Sequence, residues 1–405
     1  MHIVFLCHYF PPEVNAPASR TYENAKRWVR SDHKVTVITC APNHPNGVVY
    51  EGYENKLWQW DEKDGIDVLR VKTFIGPNKG FFKRIANYVS YMVSAALLCH
   101  LVKKADMVVS TSPQFFCGLA GFLVSRRLQC PWVLEIRDLW PESIIAVGAI
   151  KQRSVICLLE SIETFMYRKA DHIVSVTKAF KRHIIARGIE SGKISIVTNG
   201  ADLDQFKVVS GENEIEEKYD LKDKFVASFI GTHGMAHALD TVLRAAAILR
   251  DRKDILFLLV GGGAERENLL KQKEELNLEN VMMLPQQEKR LMPYFLSASG
   301  ACMVLLRKSD LFKTVIPSKI FEAMAMERPI IHGVEGESKE IIEAAQCGIC
   351  IEPENEKDLA DAVLKLSKDP EMCRKLSLNG KSYVRNYYSR DDLADKYLQI
   401  LEQVN

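Results

Sequence analysis

Two short runs hold side chains whose types and spacing suit chemistry on an anion. In Pro317-Ser318-Lys319-Ile320-Phe321-Glu322-Ala323-Met324-Ala325, the proline stands where a helix can begin, because its missing amide costs nothing in a first turn. The free N–H groups of that turn carry partial positive charge, and an anion would be held there. Lys319 adds a full charge where helices ordinarily take Asp or Glu, and Glu322 follows three residues on along the same face. That conflict with the dipole favours a site over a stabilising role. The plainer alternative is a solvated Lys319–Glu322 pair worth at most about 0.5 kcal/mol. The second run, Arg137-Asp138-Leu139-Trp140-Pro141-Glu142, follows the candidate strand 132–136. Opposite charges at the carboxyl end of a buried strand are placed for catalysis, or else form a structural salt bridge.

Three loops add backbone rather than side-chain chemistry. Gly261-Gly262-Gly263-Ala264-Glu265 follows an apolar run, and its glycines let amides approach a nucleotide closely. It lacks the full Gly-x-Gly-x-x-Gly spacing and the Lys-Ser/Thr of a phosphate loop, so a tight strand-to-helix turn is the competing reading. Gly231-Thr232-His233-Gly234 ends another apolar run, with His233 and His237 the nearest polar groups. Either histidine can donate to a ligand oxygen, or can be a surface residue without function. Tyr9-Phe10-Pro11-Pro12-Glu13-Val14-Asn15-Ala16-Pro17 reads as a rigid wall before a helix starting near Ala18.

These loops need elements to hold them. Short β-branched runs alternate with amphipathic stretches along nearly the whole chain, the pattern of parallel sheets covered by crossover helices. Strands are expected at 2–7, 35–39, 68–72, 107–111, 132–136, 172–176 and 194–198, then at 225–230, 255–260, 281–284, 301–305, 329–332 and 348–352. The polar, acid-rich passage 210–224 separates two α/β, doubly wound domains. Open parallel sheets bind ligands beyond the carboxyl ends of their strands, so two in tandem would face each other across a cleft.

Composition narrows the function classes. With 405 residues, 47% apolar and 26% charged, the chain builds two or three cores and is not a disordered polymer. Fifty-four Lys and Arg against 52 Asp and Glu leave +2, which excludes a chain-wide basic field for nucleic acid. The 10 cysteines are scattered and the start of the chain lacks a leader pattern, so a reducing cytosol is expected. Cys347 and Cys350 form a Cys-x-x-Cys, but no second ligand pair follows to complete a zinc site. Residues 85–102 run for 18 positions without Asp, Glu, Lys or Arg, between Lys79, Lys83 and Arg84 on one side and Lys103-Lys104 on the other. Asn87, Ser90, Ser94 and His100 dilute the stretch, which suits a crossover helix, either buried or resting on an anionic membrane surface.

Taken together, these residues resemble the retaining glycosyltransferases of family four, which have the two-domain GT-B architecture. The resemblance rests on the Pro-Pro-Glu loop, Arg137 to Ser143, Thr198-Asn199-Gly200-Ala201-Asp202 with Phe206, Gly231 to Asp240, and Pro317 to Ala325. It points most to the bacterial polysaccharide subgroup that includes N-acetylfucosamine and N-acetylhexosamine transferases. It implies an acceptor-binding Rossmann-like domain at 1–205, a nucleotide-sugar-binding one at 206–385, and a helix at 386–405 returning to the first domain. Catalysis would fall to Asp138, Lys319 and Arg137, and donor binding to Gly231, Thr232, His233, His237, Gly261, Gly262, Pro317, Ser318 and Glu322. Glu13 and Asn15 would shape the acceptor side. Glu322 matches the second Glu of the family's Glu-x7-Glu, which holds the ribose hydroxyls. Thr314 stands in place of the first Glu, while Thr232 and His237 replace the usual Arg and Lys. Lys319 and the amides beside it are therefore expected to meet the diphosphate, with no metal or other cofactor. The implied partners are a UDP-sugar and a lipid-linked saccharide, with contact to the inner membrane through 79–104 and none to nucleic acid. A sugar-nucleotide 2-epimerase and a non-catalytic nucleotide-binding scaffold are the alternatives.

Overall fold

Apolar-rich runs form most strands of two sheets, because helices cover both faces and leave little room for polar side chains. The computed structural model describes the chain apart from residues 14, 45–46, 77–80, 113, 147–149 and 210. In the first sheet the strands are β1 (His2–Leu6), β2 (Lys34–Cys40), β3 (Trp58–Lys63), β4 (Ile66–Val71), β5 (Met107–Thr111), β6 (Trp132–Ile136), β7 (His172–Ser175) and β8 (Ile194–Ile196). Their order is β3-β4-β2-β1-β5-β6-β7-β8, parallel except where β3 pairs antiparallel with β4. The second sheet has β9 (Phe225–Ile230), β10 (Ile255–Val260), β11 (Val281–Leu284), β12 (Ala301–Leu305), β13 (Ile330–Gly333) and β14 (Gly348–Cys350). Its order, β11-β10-β9-β12-β13-β14, reverses direction between β9 and β12 and is parallel throughout. Both sheets are doubly wound, as the alternation of elements predicts.

The expected strand set lacked β3. Its exposed Trp58 and Trp60 sit on an edge strand, so no continuous apolar run marks it. The signal was Asp64-Gly65, whose positive φ angles of 52° and 78° close the tight turn between β3 and β4.

The chain divides into one unit of Met1–Thr198 with Asp391–Asn405 and another of Asn199–Arg390. Relative to the expected boundaries, residues 199–205 move to the second unit. Ala201 pairs with Ser389, its N–H donates to Tyr388 O at 3.0 Å, and it accepts from Arg390 N at 3.0 Å. Ala201 and Phe206 are also buried with Phe321 and Met324 in that unit's core. The final helix, Arg390–Val404, packs from Asp391 onward on the first unit. There Tyr397 meets the Trp28 ring edge-on at 5.3 Å, and the Trp28 indole donates to Ala394 O at 3.1 Å.

The stretch after Arg84 is a helix, Phe81–Leu98, closed by a short turn at Cys99–Leu101. It buries Tyr88, Tyr91 and Ala95 and exposes Val93 and Leu97, so it is a crossover helix with an apolar outer stripe. Lys79 and Gly80 of its basic flank lie outside the described residues. Among the described residues, no helix is long and apolar enough to cross a membrane.

Candidate active site

In the second unit, β9 and β10 run parallel with Ile230 opposite Val260, so their trailing loops leave the sheet side by side. The loops interlock through backbone: Gly231 N donates to Val260 O at 2.8 Å, His233 N to Gly262 O at 2.8 Å, and Glu265 N to His233 O at 2.9 Å. A Cβ on Gly261 would stand 1.9 Å from Gly231 O, and one on Gly263 would stand 2.4 Å from His233 O. These two glycines therefore serve loop packing. Gly262 differs, since a Cβ there meets nothing within 4 Å.

Gly231 has another neighbour. A Cβ on it would fall 2.6 Å from Lys319 Nζ, so its missing side chain leaves room for the ammonium. That ammonium sits 3.6 Å from the Phe229 ring centroid, hidden from solvent and without a hydrogen-bond partner among the described residues. Burial lowers its pKa to about 7, with Glu322 pulling the other way. Glu322 is half-buried; burial raises its carboxyl, and Lys289 and then Lys319 oppose that rise. No ion pair joins Lys319 to Glu322 among the described residues, so the solvated-pair alternative fails. With Ser228, Ile230, Met292 and Cys302, both charges line a small cavity of about 30 Å³.

The helix that carries them spans Lys319–Ala325 rather than starting at Pro317. Ser318 is its cap residue and makes no side-chain cap bond, while Ile320 N and Phe321 N bond back three residues to Pro317 O and Ser318 O at 3.2 and 3.1 Å. This tighter first turn places Pro317 just outside the helix.

His233 is fully buried with neither ring nitrogen bonded, and its pKa falls to about 4 through burial, helped by Arg266 and Lys319. His237 also falls to about 4, through burial and then Lys319, and its Nδ1 lacks a partner. Its ring meets Phe229 at 5.6 Å and 68°. Thr232 is exposed at the loop tip. Lys319 Nζ, both His233 nitrogens, His237 Nδ1 and Arg266 Nε are thus buried nitrogen atoms of one neighbourhood without hydrogen-bond partners. Buried polar atoms are rarely left so, and a group of nitrogens in that condition is chemically suited to an anion.

In the first unit, Ser112 beyond β5 holds the loop after β6: its Oγ accepts from Arg137 N at 2.8 Å and from Asp138 N at 3.3 Å. Arg137 does not pair with Asp138. Its guanidinium donates to Ala16 O at 3.1 Å and Pro17 O at 3.4 Å, clamping the first turn of the helix Ala16–Arg30. That helix starts before Ala18 because Asn15 caps it, accepting from Ala18 N at 2.9 Å. Burial lowers Arg137 to about 10, with Glu135 opposing and Arg20 adding. Asp138 is raised to about 6 by burial, with Ser143 and Leu139 opposing and Glu142 adding. Glu13 is buried, and its carboxylate accepts from Asn43 N and His44 N at 2.9 Å and Phe10 N at 3.3 Å. It shapes the wall from within.

Sequence reasoning missed the ion pair beneath this loop. Arg20 Nε donates to Glu135 at 2.8 Å, its other nitrogens reach Thr198 O and Val197 O at 2.8 and 2.9 Å, and Thr111 donates to Glu135 at 2.6 Å. Burial pushes Glu135 up, but Arg20 and then Arg137 more than reverse this and hold it below its ordinary value. An acid inside the apolar run 132–136 was the signal; its partner, over a hundred residues away, was not readable. Lys289 beside Glu322 and Asp202 was also missed. Glu142, Glu163 and His183 offer ligand atoms within 4.8 Å of one another, but Arg187 already stands there, 2.5 Å from Glu142.

Residues 15–200 match the glycosyl transferase 4-like domain, and residues 211–383 match the glycosyl transferases group 1 family. The chain is 24% identical over 366 residues to the colanic acid biosynthesis glycosyl transferase WcaI of Escherichia coli (strain K12), covering 87% of this chain and 89% of that one. It is 24% identical over 327 residues to the capsular polysaccharide biosynthesis glycosyltransferase CapM of Staphylococcus aureus, covering 77% and 81%. Among solved structures, Anabaena HepE in complex with UDP and glucose superposes with a TM-score of 0.76 at 15% identity, over the full length of both chains.

Proposed function

The chain belongs to the GT-B glycosyltransferases of the family-four type, and from that membership we propose that it moves an N-acetylhexosamine or N-acetylfucosamine-type sugar from a UDP-sugar to a lipid-linked or saccharide acceptor. The product would enter a cell-surface polysaccharide such as O-antigen or capsule, as the names of WcaI and CapM support. The observation that carries the donor half is the group of unpartnered buried nitrogens around Lys319. HepE, solved with UDP, supports the choice of nucleotide.

Transfer proceeds with retention and without metal in this reading. The bond from the anomeric carbon to the β-phosphate oxygen breaks as the acceptor oxygen bonds to the same face of that carbon. The leaving phosphate takes the acceptor proton. Negative charge grows on the β-phosphate, and a fixed donor there is worth about 3 to 4 kcal/mol. Lys319 is the donor, Glu322 holds the ribose, and Asp138 orients a hydroxyl. The enzyme works on the cytoplasmic side, with the helix Phe81–Leu98 and its basic flanks touching the inner membrane.

A thermal-shift panel tests this reading. UDP raises the melting temperature while GDP and ADP do little, because a ligand that binds only the folded state stabilises it. Incubation with UDP-sugars and acceptor then gives a glycoside with retained configuration. A sugar altered without any acceptor would establish an epimerase instead, and nucleotide binding without turnover would establish a scaffold.

A further inference from the structure

The loop that carries Asp138 has an anchor at its far end that the proposed chemistry does not use. Beyond Asp138 the chain folds on itself: Ser143 N donates to Leu139 O at 2.8 Å, and Ile144 N and Ile145 N donate to Pro141 O at 3.1 Å. Residues 139–145 are thereby tied together, and what holds one end bears on the other.

Three attachments hold this piece. At the front, Ser112 Oγ takes the Arg137 and Asp138 amides. In the middle, Leu139 is buried and Trp140 stacks on Phe115, with ring centroids 5.7 Å apart at 24°. At the rear, Glu142 opens the short helix Glu142–Ala146 and accepts from Arg187 at 2.5 Å.

Arg187 stands where the helix Lys178–Ala186 ends, so its charge also suits the carbonyls of that last turn. The same guanidinium lies 3.3 Å from Glu160 and 3.7 Å from Glu163, both on the helix Arg153–Lys169, while His183 Nε2 stands 3.2 Å from Glu142. One guanidinium thus faces three carboxyls, and they do not share it equally. Burial pushes the Glu142 carboxyl up, but His183, its own amide and Arg187 more than reverse this and bring it to about 2, so it is ionised. Glu163 is raised to about 7 by burial, with Glu142 adding, and one of its oxygens accepts from the Tyr167 hydroxyl at 2.6 Å. Glu163 therefore leans on Tyr167 and leaves the guanidinium to Glu142. The side chains of Glu142 and Arg187 are each 26% exposed, so theirs is not the solvent-screened kind of pair that contributes little.

Resting on the glycosyltransferase reading, in which Asp138 orients a hydroxyl, we propose that Glu142 and Arg187 are positioning residues: their ion pair ties the loop to the end of the helix Lys178–Ala186 and so sets the direction of the Asp138 carboxyl.

Hydrogen exchange and kinetics of the full chain test it with three variants. Arg187→Met removes the cation, Glu142→Gln removes the charge while keeping the shape should the first variant fail to fold, and Arg187→Lys keeps one charge. In the first two, the amides of 139–146 are expected to exchange roughly tenfold faster while those of β6 stay protected. Their kcat falls roughly 10- to 100-fold with KM little changed, as misorientation of a bound group requires. The acid limb of kcat/KM also moves below about 6, because burial is the chief cause holding Asp138 up and a loosened loop admits water. Arg187→Lys recovers most of the protection and the rate. Loop amides that exchange as in the parent, or a lowered rate with the acid limb unmoved, overturns the proposal and leaves the pair a purely structural one. The UDP-induced thermal shift is read on each variant and persists. A loosened loop in variants of a parent chain that itself transfers no sugar upholds the tie between loop and helix and counts against the glycosyltransferase reading instead.

Discussion

At Lys319 the sign of the pH dependence distinguishes a site from a structural charge. With a folded pKa of about 7 against an ordinary 10.5, the folded chain holds fewer protons than the unfolded one across that window. The contribution of Lys319 to stability therefore rises with pH from about 7 to 10.5 in the free enzyme, because the buried ammonium is a cost that deprotonation relieves. An anion beside it reverses the preference. At pH 8, UDP binding should take up protons, seen as a dependence of the binding enthalpy on the buffer's own ionisation enthalpy, and Lys319→Ala should abolish that uptake. The same variant should lower kcat by roughly 100- to 1000-fold with a much smaller change in donor affinity, since the charge it meets develops only in the transition state. Asp138 gives the complementary limb. Its carboxyl, raised to about 6 by burial, must be ionised to orient a hydroxyl, so kcat/KM should fall as pH drops through about 6. Asp138→Asn should lose transfer while keeping the parent melting temperature; parent kinetics would assign it a structural role.

Two kinds of element position these groups, and they differ in how far they can be read in advance. Strands buried on both faces announce themselves, as Ile-Leu-Phe-Leu-Leu-Val at β10 does, because nothing but apolar residues is tolerated there. An edge strand such as β3 answers to solvent on one side and to a single neighbour, so its Trp-Gln-Trp pattern carries little signal beyond the following Asp64-Gly65. The glycine loops were visible as glycines, but their work was not. Whether Gly261 serves a ligand or another loop depends on which strand lies beside β10, and that is a tertiary fact. It makes a prediction: Gly261→Ala puts a methyl 1.9 Å from Gly231 O at a φ of +150°, where no flexible side chain can yield. A loss of roughly 2 to 4 kcal/mol in denaturant unfolding is expected. Gly262→Ala, in open space at the next position, should cost far less in stability. Charged pairing was the least legible level. Arg137 was readable as functional by type, but its commitment to the Ala16 and Pro17 carbonyls depends on the helix Ala16–Arg30 starting beside the loop after β6. Arg20 had no local mark at all.

Across the whole molecule, the chain leaves its first unit after Thr198 and returns to it at Asp391, so the first core is completed last. The returning helix inserts Tyr397, Leu398, Ile400 and Leu401, all buried, against Phe5, Trp28 and Val37. At about 1.5 to 3 kcal/mol per large apolar side chain removed from water, the four amount to roughly 6 to 12 kcal/mol, comparable with the entire stability of a typical domain. Truncation after Arg390 also strips Arg27 of its Asp391 partner and the Trp28 indole of its Ala394 acceptor. The second unit keeps its own core around Phe321, Met324 and Ile342, to which residues beyond Arg390 contribute nothing. Calorimetry of the intact chain should therefore resolve a transition that UDP raises, belonging to the unit that holds Lys319, and another that UDP leaves in place. Removal of 391–405 should abolish the UDP-insensitive transition and spare the other. If the truncated chain instead loses its UDP-dependent transition, the donor site does not reside in Asn199–Arg390 alone; if it keeps both, the returning helix is an ornament rather than a member of the first core.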